Sequence, residues 1–475
     1  MVYLRLNTRN HLKYQDLKLP SKFLQSLEGL PGFNQLSFQH VHESAERVTS
    51  IRLNRSKEPE NDLPYNLRPI PWSSAGYYLS ERPFFTFDPL LHAGSYYVQE
   101  ASSMFLEQAV EQTCSVKDSL NVLDLCAAPG GKSTLLQSII SPESLLVSNE
   151  LIRSRVTVLE ENLTKWGALN VVVTNNDAKD FQRLEHFFDL IVVDAPCSGS
   201  GLFRKDPKAI NEWSIESVHH CAQRQQRILA DVLSALKPAG VLIYSTCSYS
   251  LEEDEQIADW LTDSFQMESV KIETNAGWGI VETQSPAHNC YGYRFFPDRV
   301  EGEGFYLACF RKSSNNNGVK PAIKFKKEST EPITRKEREL ILPYISDDSN
   351  LFFWKLGERM LSFPASLHTQ LQLLIQSMYI RKAGVTIGKS GSKEMVPDHE
   401  LAMSLILSRN IERVSLNNKD ALQYLRKEEV SINEGSKGWT IVEYDGVALG
   451  WIKNLGNRVN NYYPKDWRIL KSATN

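Results

Sequence analysis

The stretch "LNVLDLCAAPGGKSTLLQSII", Leu120 to Ile140, decides the fold class. It reads as a buried strand, a tight glycine turn and a helix. Gly130 and Gly131 let a ligand approach the backbone closely, and Ser133 or Thr134 can open the helix. Free N–H groups at that helix start favour a negatively charged group. The same pattern continues downstream. "SLLVSNE" ends in Glu150, "LNVVVTNND" in Asp177 and "FFDLIVVD" in Asp194, and "GVLIYS" is a fifth apolar run. Apolar runs alternating with helical periods from 113 to 312 predict a parallel sheet of βαβ units.

Three strand-end acids after such a turn define a nucleoside pocket on the carboxyl edge of the sheet. Glu150 is placed to bond paired ribose hydroxyls and Asp177 to accept from an adenine amino group. The turn is not GxGxxG, which argues against a dinucleotide. No GxxxxGK[ST] occurs, which argues against ATP on a P-loop. S-adenosylmethionine is the expected cofactor. The plainer reading of any one such acid is a solvated cap on the following turn.

Two thiols follow the fourth and fifth strands: Cys197 in "DAPCSGSG" and Cys247 in "YSTCSY". Neighbouring strands lie about 4.8 Å apart, so both thiols can face one target. A methyltransferase acting on an amine or hydroxyl needs no thiol, whereas carbon 5 of a pyrimidine is a poor nucleophile. A thiolate adding to carbon 6 makes an enamine of the ring, and carbon 5 can then attack a methyl group. A free thiol with a pKa near 8.5 is only about 3% ionised at neutral pH, so the site is expected to lower it. The ordinary fate of a free cysteine is a small buried residue. That reading is kept for Cys114, Cys221, Cys290 and Cys309, and for Cys126 as filler in the turn.

The chain has 475 residues, is 41% hydrophobic and 23% charged, and carries a net charge of −4. That is ordinary globular material for two to four domains. The charged N-terminal stretch lacks the apolar core of a signal peptide, and no run is long enough to span a membrane. Seven cysteines without a CxxC pair predict neither a disulfide framework nor a zinc site, and a reducing cytoplasm fits. The predicted domains are 1–112, an N-terminal module containing the alternating strand "RVTSIRLN"; 113–312, the catalytic core; 313–332, a lysine-rich linker; and 333–475. The last region begins with helices such as "SLHTQLQLLIQSMY" and ends, from about 410, in a small β-barrel. Its tail interleaves Lys453, Arg458, Lys465, Arg468 and Lys471 with Trp451, Tyr462, Tyr463 and Trp467. Basic groups track phosphates and aromatic faces stack on bases, so RNA is the expected partner. Buried aromatics in a small domain are the alternative.

"DLCAAPGGKS", "DAPCSGSGLFRKDP" and "YSTCSYSLEEDE" resemble motifs of the RNA cytosine-C5 methyltransferases of the Sun/Fmu type. "YYVQEASSM", "GEGFYLACFRK" and the "SIRLN" stretch match as well, so the resemblance covers nearly the whole chain. The tail is similar to the RNA-binding module of family members that modify small-subunit ribosomal RNA. The resemblance implies an α/β fold: a Rossmann-like class I methyltransferase core, an N-terminal α/β module, and a C-terminal α+β region ending in a PUA-like β-barrel. It implies Cys247 as nucleophile and Cys197 as the group that assists product release. It implies that Cys126, Ala127, Ala128, Pro129, Gly130, Gly131, Lys132, Glu150, Asp177 and Asp194 hold S-adenosylmethionine, with Asp194 also touching the cytosine edge. No metal is expected, the substrate is RNA rather than DNA or a membrane, and the working form is a monomer. One departure is visible: many relatives carry a histidine after a proline where this chain has Asp298 after Pro297. Transfer RNA is the alternative substrate. A DNA cytosine methyltransferase would not need the second thiol, and a non-catalytic assembly factor would not be expected to keep both thiols and the turn.

Overall fold

The computed structural model describes residues 18–44, 46–314, 330–391, 394–430 and 437–471. Most of the predicted linker lies outside them. All five core strands form where the apolar runs lie: Asn121–Asp124, Leu145–Asn149, Val171–Thr174, Phe188–Asp194 and Leu236–Thr246. They pair in parallel in the spatial order fifth, fourth, first, second, third. The sheet therefore reverses its winding between the first and fourth strands, which opens a crevice at their carboxyl ends. Beyond the fifth strand, Phe305–Lys312 and Tyr291–Phe295 continue the sheet antiparallel. The five central strands are buried on both faces, hence their unbroken runs of Val, Ile and Leu.

The strand in "RVTSIRLN" is Thr49–Leu53, in a four-stranded antiparallel sheet. Its alternation predicts one wet face, yet Arg52 on the polar side is 1% exposed. The guanidinium crosses into the core domain. Nε donates to Gln99 (2.9 Å), Nη2 donates to Thr134 Oγ1 (2.6 Å), and the group lies 4.6 Å over the Trp166 ring. Burial pulls its pKa down to about 9. The two N-terminal helices, Ser21–Leu27 and Gln35–Glu43, dock by Phe23, Leu24, Leu27 and Phe38 against Phe203, Trp213, Tyr249 and Phe296 of the core.

The predicted helix in "SLHTQLQLLIQSMY" is His368–Ser377. The strand that follows it, Ile380–Ala383, pairs antiparallel with Val171–Thr174 and extends the core sheet at its far edge. Trp354, Phe363, Leu371, Leu374 and Met378 share one apolar cluster with Val172, Phe181 and Leu184. The C-terminal four-stranded sheet contains Gly438–Tyr444 and Val447–Asn454, joined at Gly446 with φ of 74°. Two aromatics read as stacking faces are interior instead. Trp451 is 1% exposed and donates to Asp398 O, and Tyr463 packs on His399 and Tyr424. Arg458, Lys465 and Lys471 remain exposed. Among the described residues no helix is long and apolar enough to cross a membrane.

Candidate active site

The turn after the first strand is fixed from several sides. Ala127 N donates to Asn149 O (2.8 Å), Arg155 donates to Ala128 O (2.5 Å), and Asn162 donates to Pro129 O (2.8 Å). Gly130 caps the helix Gly131–Ile139 with φ of 115°, a conformation that disfavours a side chain. Cys126 lies within this turn, and burial raises its thiol above the ordinary range. The remaining thiols fit a packing role: Cys290 and Cys309 are buried, and burial also raises Cys114 and Cys221.

Glu150 is 4% exposed. Its Oε1 accepts from Ile152 N (2.8 Å), but buried Oε2 accepts no hydrogen bond, although Arg155 Nη1 stands 3.2 Å away. Asp124 repeats the pattern: Oδ2 accepts from Ser133 (2.6 Å), while Oδ1 is buried without a donor. Burial, opposed by Ser133 and Lys132, lifts Asp124 to about 7. Buried acceptors left open at strand ends, beside a glycine turn, fit a ligand rich in hydroxyl and amino donors. Asp177 caps the short helical turn Ala178–Leu184 by accepting from Lys179 N (3.2 Å). One oxygen of that carboxylate thus does the plain capping work.

Lys132 reaches across the crevice to Asp194, Nζ to Oδ2 at 2.8 Å, and Ser245 donates to Asp194 Oδ1 at 3.0 Å. Burial alone would pull the ammonium's pKa down. Asp194, Asp124 and Cys247 outweigh it, so the group is held in its charged form. The fourth and fifth strands are parallel neighbours with Asp194 opposite Ser245, and their exits bring Cys197 Sγ to 2.9 Å from Cys247 Sγ. The environment of Cys197 does not favour its thiolate. The hydrogen bond with Cys247 and burial push its thiol well above the ordinary range. The two sulfurs share one hydrogen bond, in which either thiol can be the donor.

The sequence reading missed the group that holds the two thiols in register. "SLEEDE" carries four acids in a row, yet Glu253, Asp254 and Glu255 are 0%, 0% and 2% exposed. Glu253 Oε1 accepts from Ser198 N (2.8 Å) and Gln225 (3.2 Å). Its Oε2 accepts from Ser198 Oγ (2.5 Å) and Ser248 Oγ (2.6 Å). Ser198 follows one cysteine and Ser248 the other, so one carboxylate ties both loops. Asp254 accepts from Thr246, and buried Arg294 pairs with both Asp254 and Glu255. The signal available was the spacing of serines after each cysteine. Asp298, the residue after Pro297, accepts from Ser37 Oγ (2.5 Å) and so meets an N-terminal helix rather than the thiols.

Glu253→Ala removes the shared acceptor and leaves buried hydroxyls unpaired. Methyl transfer should fall about 10- to 100-fold, the scale of an ångström's misplacement of a reacting group. Affinity for S-adenosylmethionine should stay within about twofold of wild type, since a twofold change is only about 0.4 kcal/mol. Tritiated-methyl assays and calorimetry measure the two, and unchanged turnover would remove the clamp.

Three family models match the chain: the N-terminal domain of the 16S rRNA methyltransferase RsmF over residues 19–101, the 16S rRNA methyltransferase RsmB/F over 112–311, and the RsmF PUA domain over 412–469. The chain is 30% identical to the ribosomal RNA small subunit methyltransferase F of Aliivibrio fischeri, over 95% of this chain and 98% of that one. It is 32% identical to the protein of that name from Aeromonas salmonicida, over 94% and 97%. Among solved structures, a methyltransferase homologue from Pyrococcus horikoshii matches 62% of this chain and 100% of its own, with 28% identity and a TM-score of 0.50. NSun6 from the same organism shares the fold with a TM-score of 0.51 at 19% identity, over 62% of this chain and 98% of its own. Fold, turn and relatives together define an S-adenosylmethionine-dependent RNA methyltransferase with a Rossmann-like core and a C-terminal PUA domain. The chain belongs to the 16S rRNA methyltransferase RsmB/F family.

Proposed function

We propose that the protein methylates carbon 5 of one cytosine in small-subunit ribosomal RNA through a covalent adduct on Cys247. The observation that carries this reading is the thiol pair, 2.9 Å apart beside the Lys132–Asp194 ion pair. S-adenosylmethionine, when bound, supplies a methyl group on a sulfonium sulfur. Cys126 to Lys132, Glu150, Asp177 and Asp194 would hold it, with the open oxygens of Glu150 and Asp124 taking donors. The Cys247 sulfur, freed of its proton, adds to carbon 6, and the ring becomes an enamine. Carbon 5 takes the methyl group and still carries its hydrogen. Cys197 then assists removal of that proton, and the Cys247–carbon bond breaks as the aromatic ring re-forms. Residues 333–475, with exposed Arg458, Lys465 and Lys471, are proposed to position RNA by its phosphates. The proposed working form is a cytoplasmic monomer. Bisulfite mapping of total RNA with and without this gene tests the reading. It predicts the loss of one protected cytosine in small-subunit RNA, and a loss confined to transfer RNA would overturn the substrate.

A further inference from the structure

We propose that Tyr379, a residue of the C-terminal region, forms one wall of the adenosine end of the cofactor site. The inference rests on the S-adenosylmethionine reading above. Tyr379 immediately precedes the added edge strand, and Ile380 stands opposite Thr174 at the carboxyl end of the third core strand. Three hydrogen bonds fix its main chain to the loop that ends in Asp177. Tyr379 N donates to Asn176 Oδ1 (3.0 Å), Asn176 Nδ2 donates to Tyr379 O (3.0 Å), and Asn175 N donates to the same carbonyl (3.1 Å). Asn175 continues the link: its Nδ2 donates to Glu150 O (2.6 Å) and Leu151 O (2.8 Å). The residue is thus built into the loop system that carries Glu150 and Asp177.

Arg381 pairs with Glu160 (2.8 Å) on the helix Arg153–Trp166, which begins directly after Ile152. The Tyr379 hydroxyl lies near the Arg381 guanidinium, which brings the side chain toward the start of that helix. Tyr379 is 59% exposed, Leu151 51% and Ile152 45%. Three large side chains of apolar body, uncovered beside a buried carboxylate with an open oxygen, suit a flat base joined to a ribose. An aromatic ring offers a base a stacking face independent of hydrogen-bond readout. Because the ring arrives from the C-terminal region, the same region that is read as holding RNA also completes the cofactor site.

The test is calorimetry of the full-length protein with S-adenosylmethionine and with S-adenosylhomocysteine. Tyr379→Ala should bind both about tenfold more weakly, about 1.4 kcal/mol. Tyr379→Phe should bind within about twofold of wild type, because the ring and not the hydroxyl does the stacking. The ligand-free melting temperature of both variants should match wild type, since the side chain is largely exposed. Glu150→Ala runs in parallel and should also bind weakly. If Glu150→Ala is weakened and Tyr379→Ala is not, the wall is overturned while the cofactor reading stands. If Tyr379→Phe loses as much as Tyr379→Ala, the ring is likewise overturned in favour of the Arg381 tie. If Glu150→Ala binds normally, the cofactor site itself is misassigned and the wall falls with it.

Discussion

Cys197→Ala is expected to stall with the enzyme bonded to its RNA, and Cys247→Ala to form no adduct and no product. The asymmetry follows from the thiol pair. The hydrogen bond with Cys247 and burial push the Cys197 thiol up, which disfavours its thiolate. Cys247 interacts electrostatically with the Lys132 ammonium, which Asp194 keeps charged. Removing Cys247 leaves nothing to add to carbon 6, and turnover should fall by at least about 10³-fold, as for loss of a nucleophile. Removing Cys197 leaves addition and methyl transfer intact but slows elimination. The readout is a slow band on a denaturing gel that needs RNA and S-adenosylmethionine, appears with Cys197→Ala, and vanishes in the double variant. A trapped band with Cys247→Ala instead would exchange the roles. Unchanged turnover in both variants would return the pair to packing. The target base must leave its stack to reach these sulfurs, at a cost of a few kcal/mol, so an unpaired or weakly paired cytosine is the expected site.

The parts of this site that lie on regular core elements were legible in the sequence. A strand buried on both faces is spelled as an uninterrupted apolar run, so its end, and the residue that leaves it, can be placed by counting. That is why Glu150, Asp194, Cys197 and Cys247 could be set at one sheet edge. What was not legible depends on partners far away in the chain. Arg52 looks like the wet side of an alternating strand because nothing local announces that Thr134 and Trp166 will cover it. Nothing local to Glu253 to Glu255 announces their burial, because their partners, Ser198, Gln225 and Arg294, come from three other elements. Trp451 and Tyr463 look like stacking faces because basic neighbours say nothing about which way a ring points. "IRKA", Ile380 to Ala383, carries two charges in four residues and has no strand signature. It becomes a strand because the edge beside Val171–Thr174 offers it unpaired backbone groups.

That last element changes what truncation should do. The chain order suggests a detachable tail after a polar linker, so that residues 1–332 would keep the cofactor site. The expected result is instead that this fragment fails to fold stably. Removing the C-terminal region strips Ile380–Ala383 from the core sheet and leaves Val171, Val172 and Val173 as an open apolar edge, a known route to aggregation. It also uncovers the side of the core where Phe181 and Leu184 meet Leu371, Leu374 and Met378. Exposing a buried side chain of that size costs about 1.5–3 kcal/mol, so two or three of them consume much of a net stability of about 5–15 kcal/mol. The fragment should be largely insoluble or melt at least about 10 °C below the full chain, since each 1 kcal/mol shifts a domain of this size by about 2–4 °C. It should bind S-adenosylmethionine weakly at best, because the Asn175–Asp177 loop loses its hydrogen bonds to Tyr379. A soluble fragment that melts within about 3 °C of the full chain and binds the cofactor normally would show that the region is appended to the core rather than part of it. Thermal melting followed by circular dichroism, with calorimetry on the soluble fraction, decides between the two.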